Sequence, residues 1–185
     1  MTNCELTDCD LINKKPINKE PITDVAIRFQ DCDPFGHLNN ARYIDYFINV
    51  REDHLAQEYN LDIYERQKHF HTNWVVSNTK IAYISPVFFR ETISIETKLI
   101  AHTGGSLLME GVMWDKKRYR IKSVIWIKFT HFDLANKKPV QHSDELMELF
   151  DKISISGIPA QNFDLKVKEM IARQATIGRG DSSAV

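Results

Sequence analysis

The sequence predicts an α+β fold in which one long helix packs on a five- to six-stranded antiparallel sheet, and two patterns carry that prediction. Tyr43, Ile44, Phe47, Val50, Arg51 and Leu55 recur at helical spacing, which places them on one face of a helix. From about residue 70 the apolar residues alternate instead, in runs separated by short turn signals. That is the pattern of antiparallel strands joined as a meander.

The elements follow in order along the chain. Residues 1–22 are rich in Asn, Lys, Asp and Pro with little periodicity, and read as an extension that is irregular or lies over a neighbour. Residues 25–29 alternate as a half-buried strand, Asp33-Pro34-Phe35-Gly36 is turn chemistry, and the helix opens after Asn39-Asn40. A polar link over 60–68 leads to a long strand at 70–83, and further strands are expected at 91–101, 106–114 and 119–132. Thr103-Gly104-Gly105-Ser106 and the charged run Lys116-Lys117-Arg118-Tyr119-Arg120 read as hairpin turns. Consecutive apolar residues in 123–129 predict a strand covered on both faces, one by the helix and one by a partner subunit. Ser143 followed by Asp144 and Glu145 caps a short helix that serves as a lid or edge cover. Residues 164–173 suggest a further amphipathic turn or two, and 178–183 a flexible tail. The expected organisation is an N-terminal extension (1–22), one domain (23–152) and a C-terminal extension (153–185).

Composition narrows the function classes. The 185 residues carry 24 Lys and Arg against 25 Asp and Glu, a net charge of −1, and 43% are hydrophobic, which suits a single core. Without a basic-aromatic stripe the chain is a poor nucleic-acid binder. Its apolar runs fall far short of the ~20 residues of a membrane span, and its start lacks a basic region followed by an apolar stretch; a cytoplasmic protein is expected. Cys4, Cys9 and Cys32 are read as reduced thiols. Cys4 and Cys9 have no further ligands at short spacing. His69 and His71, the one close histidine pair, can share a strand face but lack a third ligand, so neither a metal nor a cofactor is expected.

The chemistry concentrates between residues 27 and 43. A helix N-terminus presents unpaired N–H groups and roughly half a positive charge, which suits a carbonyl oxygen that becomes negative during reaction. Asn39 or Asn40 can cap the helix, Gly36 permits close backbone approach of a ligand, and Asp33 supplies a carboxylate that attacks an acyl carbon or deprotonates water. Asp33 is favoured over Asp31 as the acid nearest the helix mouth, with Asp31 read as a turn or strand-end hydrogen-bonding residue. Cys32 is read as a packing cysteine, because a thiol nucleophile needs a base on its own face.

Asp33, Gly36, His37, Asn39, Asn40 and Tyr43, at these spacings between a strand and a helix, resemble the signature of the hotdog-fold acyl-CoA thioesterases, specifically the 4-hydroxybenzoyl-CoA thioesterase-like group. Thr79-Lys80-Ile81-Ala82-Tyr83-Ile84-Ser85-Pro86-Val87 and the strand after Glu91 fit the same order. The resemblance implies Asp33 as the catalytic carboxylate, the Asn40 backbone N–H as the group that polarises the thioester carbonyl, and His37 and Asn39 beside the acyl thioester. His37 donates to the carbonyl, orients water or braces the turn. Substrate contacts are expected from Gly36, Asn39, Tyr43 and a Ser106 belonging to a partner subunit, while Arg90 or the 116–120 run suits the coenzyme A phosphates. Phe35, Tyr43, Phe47, Trp74 and Phe88 are candidates to line the acyl tunnel. The implied partners are acyl-CoA, or acyl carrier protein as its carrier, and a second copy in a homodimer or dimer of dimers. A hydratase or dehydratase on acyl thioesters, using His37, and a non-catalytic acyl-CoA-binding protein stand as alternatives.

Overall fold

The computed structural model describes residues 17–155 and 162–180. Strand β1 (Ile22–Ala26) passes through 3-10 turns at Phe29–Asp31 and Asn40–Arg42 into helix α1 (Tyr43–Tyr59). Helix α2 (Ile63–Phe70), strands β2 (Thr72–Tyr83), β3 (Thr92–Thr103), β4 (Ser106–Asp115) and β5 (Ile121–Asp133), the short β6 (Lys138–Pro139) and helices α3 (Asp144–Ile153) and α4 (Phe163–Gly180) complete it. One long helix against an antiparallel sheet is the hotdog plan.

Helix α1 buries the stripe its spacing predicts: Tyr43, Tyr46, Phe47, Val50, Arg51, His54, Leu55 and Tyr59. It ends where Asn60 turns left-handed, at φ 52°, and donates its N–H to the Leu55 carbonyl. Phe47 is fully buried directly over Gly111 of β4, where a Cβ would come within 2.6 Å of Phe47 Cδ1 and 2.8 Å of Ile125 Cγ2. The glycine therefore lets the helix settle onto the sheet.

The strand order is β1-β3-β4-β5-β2, with β6 on β5. Only β3, β4 and β5 form the expected meander. β2 precedes β3 in the chain yet pairs with β5 at the far side of the sheet, so the connection after Tyr83 crosses the layer. β1 stops at Ala26 rather than 29, because Ile27 and Arg90 exchange pairing with the 88–91 turn (Ile27 N to Glu91 O, 2.9 Å; Arg90 N to Ile27 O, 3.3 Å) and the chain then bends.

Further expectations change. The polar link at 60–68 holds a second helix, α2, whose first turn is closed by Asp62 Oδ1 accepting from Tyr64 N and Glu65 N. His71 takes a left-handed φ of 53° at its C-terminus, so His69 and His71 do not share a strand face. Helix α3 is a core element rather than a lid: Ser143 caps it, and Leu146, Leu149, Phe150 and Ile153 are buried against the α1–sheet core. Lastly, the second face of β5 is covered by this chain's own α4. Phe163 meets Trp126 edge-on at 5.5 Å, Val167 joins the same cluster, and Gln174 Oε1 accepts from Ile121 N at 2.9 Å. Residues 178–180 are thus the last turn of a helix; 181–183 lie outside the described residues, as do Cys4, Cys9 and most of the N-terminal extension. No described helix is long and apolar enough to cross a membrane.

Candidate active site

The segment between β1 and α1 folds as a miniature hairpin. Asp33 N donates to His37 O at 2.7 Å, Gly36 N to Asp33 O at 3.0 Å and Asn39 N to Asp31 O at 2.9 Å, and Cys32 pairs with Leu38. Gly36 sits at φ +78°, where a side chain would be strained. Asp33 Oδ1 accepts from both Phe35 N (2.9 Å) and His37 N (3.0 Å), an Asx turn that locks the tip. The hairpin leans on the 86–91 turn through Leu38 N to Val87 O and Phe89 N to Gly36 O. That turn is itself pinned by Lys122, which donates to Pro86 O at 3.0 Å and pairs with Glu91 at 2.6 Å. The His37 ring meets Phe88 edge-on at 4.9 Å.

At the helix mouth Asn39 is the cap: its Oδ1 accepts from Ala41 N at 3.0 Å. Asn40 is the first residue of the leading 3-10 turn. Its N–H donates to nothing among the described residues, whereas its carbonyl accepts from the Tyr83 hydroxyl at 2.9 Å. Tyr43 is buried edge-on to Tyr83 at 5.0 Å. Burial pushes its hydroxyl up to about 12, so it stays protonated.

The two acids have different surroundings, and Tyr43 at the helix mouth feels the charge of Asp33. Asp31 borders the helix mouth: Tyr46 donates to its Oδ2 at 2.9 Å, and Arg42 Nε stands 3.8 Å from Oδ1. It is the hydrogen-bonding residue expected of it. Asp33 sits at the hairpin tip with its carboxylate folded over its own turn, and the three extended residues from His37 to Asn40 span about 10 Å. Its other oxygen, Oδ2, accepts no hydrogen bond among the described residues. Asp33 borders an open groove of about 480 Å³ shared with Phe29, Gln30, Cys32, Pro34, Gly36 and Phe89. Phe29 and Phe89 meet edge-on at 5.6 Å, and the Arg90 guanidinium lies 5.0 Å over the Phe89 ring. Burial, and then Asp31 and Asp33, raise the Cys32 thiol, which donates to Arg28 O at 3.4 Å. It is a poor nucleophile there.

The structure therefore brings Asp33, Gly36, His37 and Arg90 around one loop and places Asn39, Asn40 and Tyr43 at the adjoining helix mouth. Ser106 is elsewhere. It closes the β3–β4 hairpin, 2.8 Å from Thr103 Oγ1, at the opposite end of β4 from Asp115, which pairs with Ile93 near the loop. The 116–120 turn follows Asp115 at the loop's end of the sheet. The five aromatics named as candidates for the tunnel are dispersed: Phe35 is 83% exposed, Phe88 meets His37 edge-on, Tyr43 and Phe47 are core, and Trp74 borders a separate cavity. Phe29, Phe89, Tyr46 and Arg42 build the site without having been singled out. Tyr46 carried a signal, since it lies three residues past Tyr43 on the same helix face. Among the described residues no cluster of three His, Cys, Asp or Glu side chains is placed to hold a metal.

Known proteins with related sequences and folds align with this arrangement. The chain is 25% identical over 131 residues to the long-chain acyl-CoA thioesterase FadM of Escherichia coli K12, a match covering 71% of this chain and 97% of that protein. Among solved structures, YbaW, a probable thioesterase from Escherichia coli, superposes with a TM-score of 0.62 at 24% identity, covering 72% of this chain and 98% of the other. The DHNA-CoA thioesterase of Staphylococcus aureus gives 0.67 at 14% identity over 72% and 90%; both show the fold. The family model described as the thioesterase-like superfamily matches residues 27–150, a span that takes in the hairpin, the helix mouth, the whole meander and most of α3, and the chain belongs to that superfamily.

Proposed function

We propose that this protein hydrolyses acyl-CoA thioesters to the free acid and coenzyme A, with Asp33 as nucleophile or general base and the Asn40 backbone N–H polarising the thioester carbonyl. The observation that carries the reading is the unused Asn40 N–H at the head of α1, where the helix's partial positive charge suits the oxyanion formed when oxygen adds to the acyl carbon. Collapse of that intermediate breaks the C–S bond, and the thiolate leaves without needing a metal; with Asp33 as general base the attacking oxygen is water's and the acid forms directly, and with Asp33 as nucleophile water then hydrolyses the acyl-aspartyl anhydride to the free acid. Asp33 keeps one carboxylate oxygen free beside the groove, Gly36 lets a ligand approach the backbone, and Arg90 and the 116–120 turn suit the phosphates of coenzyme A. FadM, the relative noted above, is named for long-chain acyl-CoA.

The reading includes a homodimer. Ser106 closes the β3–β4 hairpin at the end of the sheet away from the loop, so it reaches the proposed site only from a second copy. The open edge of β2, where Val75 and Val76 are 39% and 48% exposed, is suited to strand pairing with that copy.

The test is Asp33→Asn, assayed by thiol release over acyl-CoAs of short to long chain and aromatic acyls. Asparagine keeps an acceptor for the Phe35 and His37 amides while losing the charge, so kcat is expected to fall ~10²- to 10⁴-fold with the melting temperature held. Unchanged turnover in both Asp33→Asn and Asp33→Ala would overturn the assignment. Loss of enoyl-CoA ultraviolet absorbance without thiol release would replace hydrolysis by hydration.

A further inference from the structure

We propose that the cavity beneath the C-terminal half of α1 is a binding site for a carboxylate carried on a short apolar stem, with Arg51 as its cation. Arg51 lies on the buried stripe of the helix and is only 7% exposed. Its guanidinium stands 4.0 Å over the Phe129 ring, and among the described residues no carboxylate, carbonyl or hydroxyl accepts a hydrogen bond from it. Two other cations of this chain are paired: buried Lys122 with Glu91 at 2.6 Å, and half-buried Lys98 with Glu96 at 2.8 Å and Glu20 at 2.9 Å. The neighbouring Glu52 acts on it only through space; a buried charge with no hydrogen-bonded counter-charge destabilises a fold, so its retention on this buried stripe points to an occupant.

The cavity supplies the rest of such a site. It has a volume of about 40 Å³, and beside Arg51 its walls include Leu55, Leu107, Met109, Phe129 and Ile153; one water needs roughly 10–15 Å³. His54, also at the wall, has both ring nitrogens engaged, Nδ1 2.7 Å from Thr97 Oγ1 and Nε2 2.9 Å from Thr23 Oγ1. Lys98, the other cation at the wall, is held by Glu96, Glu20 and Glu110; Arg51 is therefore the cation available there, and its planar fork fits the two oxygens of a carboxylate. Burial draws the guanidinium down to about 10, which leaves it charged at neutral pH. The eleven residues from Asn40 to Arg51 rise ~16 Å along the helix, so this site is separate from the hairpin groove. The carboxylate is either a free acid or the far end of an acyl substrate.

Isothermal calorimetry with hexanoate, and 1-hexanol as its uncharged control, on the full chain and on Arg51→Met tests this without relying on catalysis. Saturable 1:1 binding of hexanoate is expected, weaker for hexanol, and weakened roughly ten- to hundred-fold by Arg51→Met. That variant removes a buried charge that makes no hydrogen bond among the described residues and is expected to fold; Leu55→Trp, which fills the cavity with Arg51 in place, is expected to abolish binding as well. Preferential turnover of an ω-carboxyacyl-CoA over its unsubstituted equivalent, lost in Arg51→Met, identifies the far end of a substrate; hexanoate binding without that preference identifies a free acid. Absence of both, or hexanoate binding equal in Arg51→Met and the parent, would overturn the proposal.

Discussion

Replacing Asn40 with proline removes one hydrogen from the proposed site and little else. Asn40 opens a helical turn, a position proline accepts because its fixed φ suits the first helical residue. The preceding residue, Asn39, is already extended at φ −61°, ψ 133°, the conformation that a following proline requires. The Asn40 carbonyl still accepts from Tyr83, and the lost N–H had no acceptor among the described residues. Stability is therefore expected to move by no more than ~1 kcal/mol, with a gain from the stiffer unfolded chain. If that N–H stabilises the oxyanion, its loss costs about 3–4 kcal/mol of transition-state stabilisation, or ~10²- to 10³-fold in kcat, with KM little changed. Steady-state thiol release and thermal unfolding by circular dichroism measure the two separately. Asn40→Ala keeps the N–H and is expected to retain activity. Full kcat in Asn40→Pro at an unchanged melting temperature would refute the role of this amide, and equal inactivity of Asn40→Ala would shift it to the side chain.

Two further outcomes follow from packing and titration. Gly111→Ala forces a methyl against Phe47 and Ile125 at distances below ordinary contact. Overpacking of ~1–3 kcal/mol, less ~0.4–1 kcal/mol from the unfolded chain, lowers the melting temperature by a few degrees, and adding Phe47→Leu recovers it; a variant at least as stable as the parent would show the α1–β4 contact to be looser than these distances imply. His142 is held down to about 4, chiefly by burial and then by the neighbouring His131, with which it stacks at 4.8 Å. The unfolded chain takes up this proton below its ordinary 6.5 and the folded chain only near 4, so stability present above pH 6.5 is lost as pH falls through that window, by roughly 3 kcal/mol. Urea unfolding at pH 7, 5.5 and 4.5 is expected to show a shallower decline in His142→Gln, which keeps an acceptor for the Trp74 indole N–H; identical declines would remove the assignment.

The fold was legible in the sequence where local pattern and tertiary role coincide. Helix α1 and strands β3 to β5 announce themselves by period and turn residues, because each buries one stripe or face on a neighbour close in sequence. The parts that escaped are those set at long range. Strand β2 carries the same alternation whether it pairs with β3 or crosses to β5, so its place in the sheet is not encoded in its period. Helix α2 is short and polar, and its clearest signal was the Asp62 cap rather than any apolar stripe. The doubly apolar run in β5 correctly announced two covered faces, but nothing local distinguishes a partner subunit from Phe163 and Val167 arriving from some 40 residues downstream.

The site divides along the same line. Residue types at fixed spacing located the loop, the cap and the helix mouth, since an Asx turn, a left-handed glycine and an asparagine cap are all decided within four residues. Which acid stands where is decided instead by hairpin register: pairing Asp31 with Asn39 and Asp33 with His37 sends the nearer acid in sequence to the far tip and brings the earlier one to Tyr46 and Arg42. Spacing alone therefore does not say which carboxylate is free to react. Asp33 keeps its claim on other grounds: Tyr46 and Arg42 already occupy the Asp31 carboxylate, whereas Asp33 holds an oxygen free at the rim of the groove. Arg51 shows the converse, a residue whose period marks it as core and whose charge marks it as something more, a contradiction visible in the sequence but interpretable only once the cavity beside it is seen.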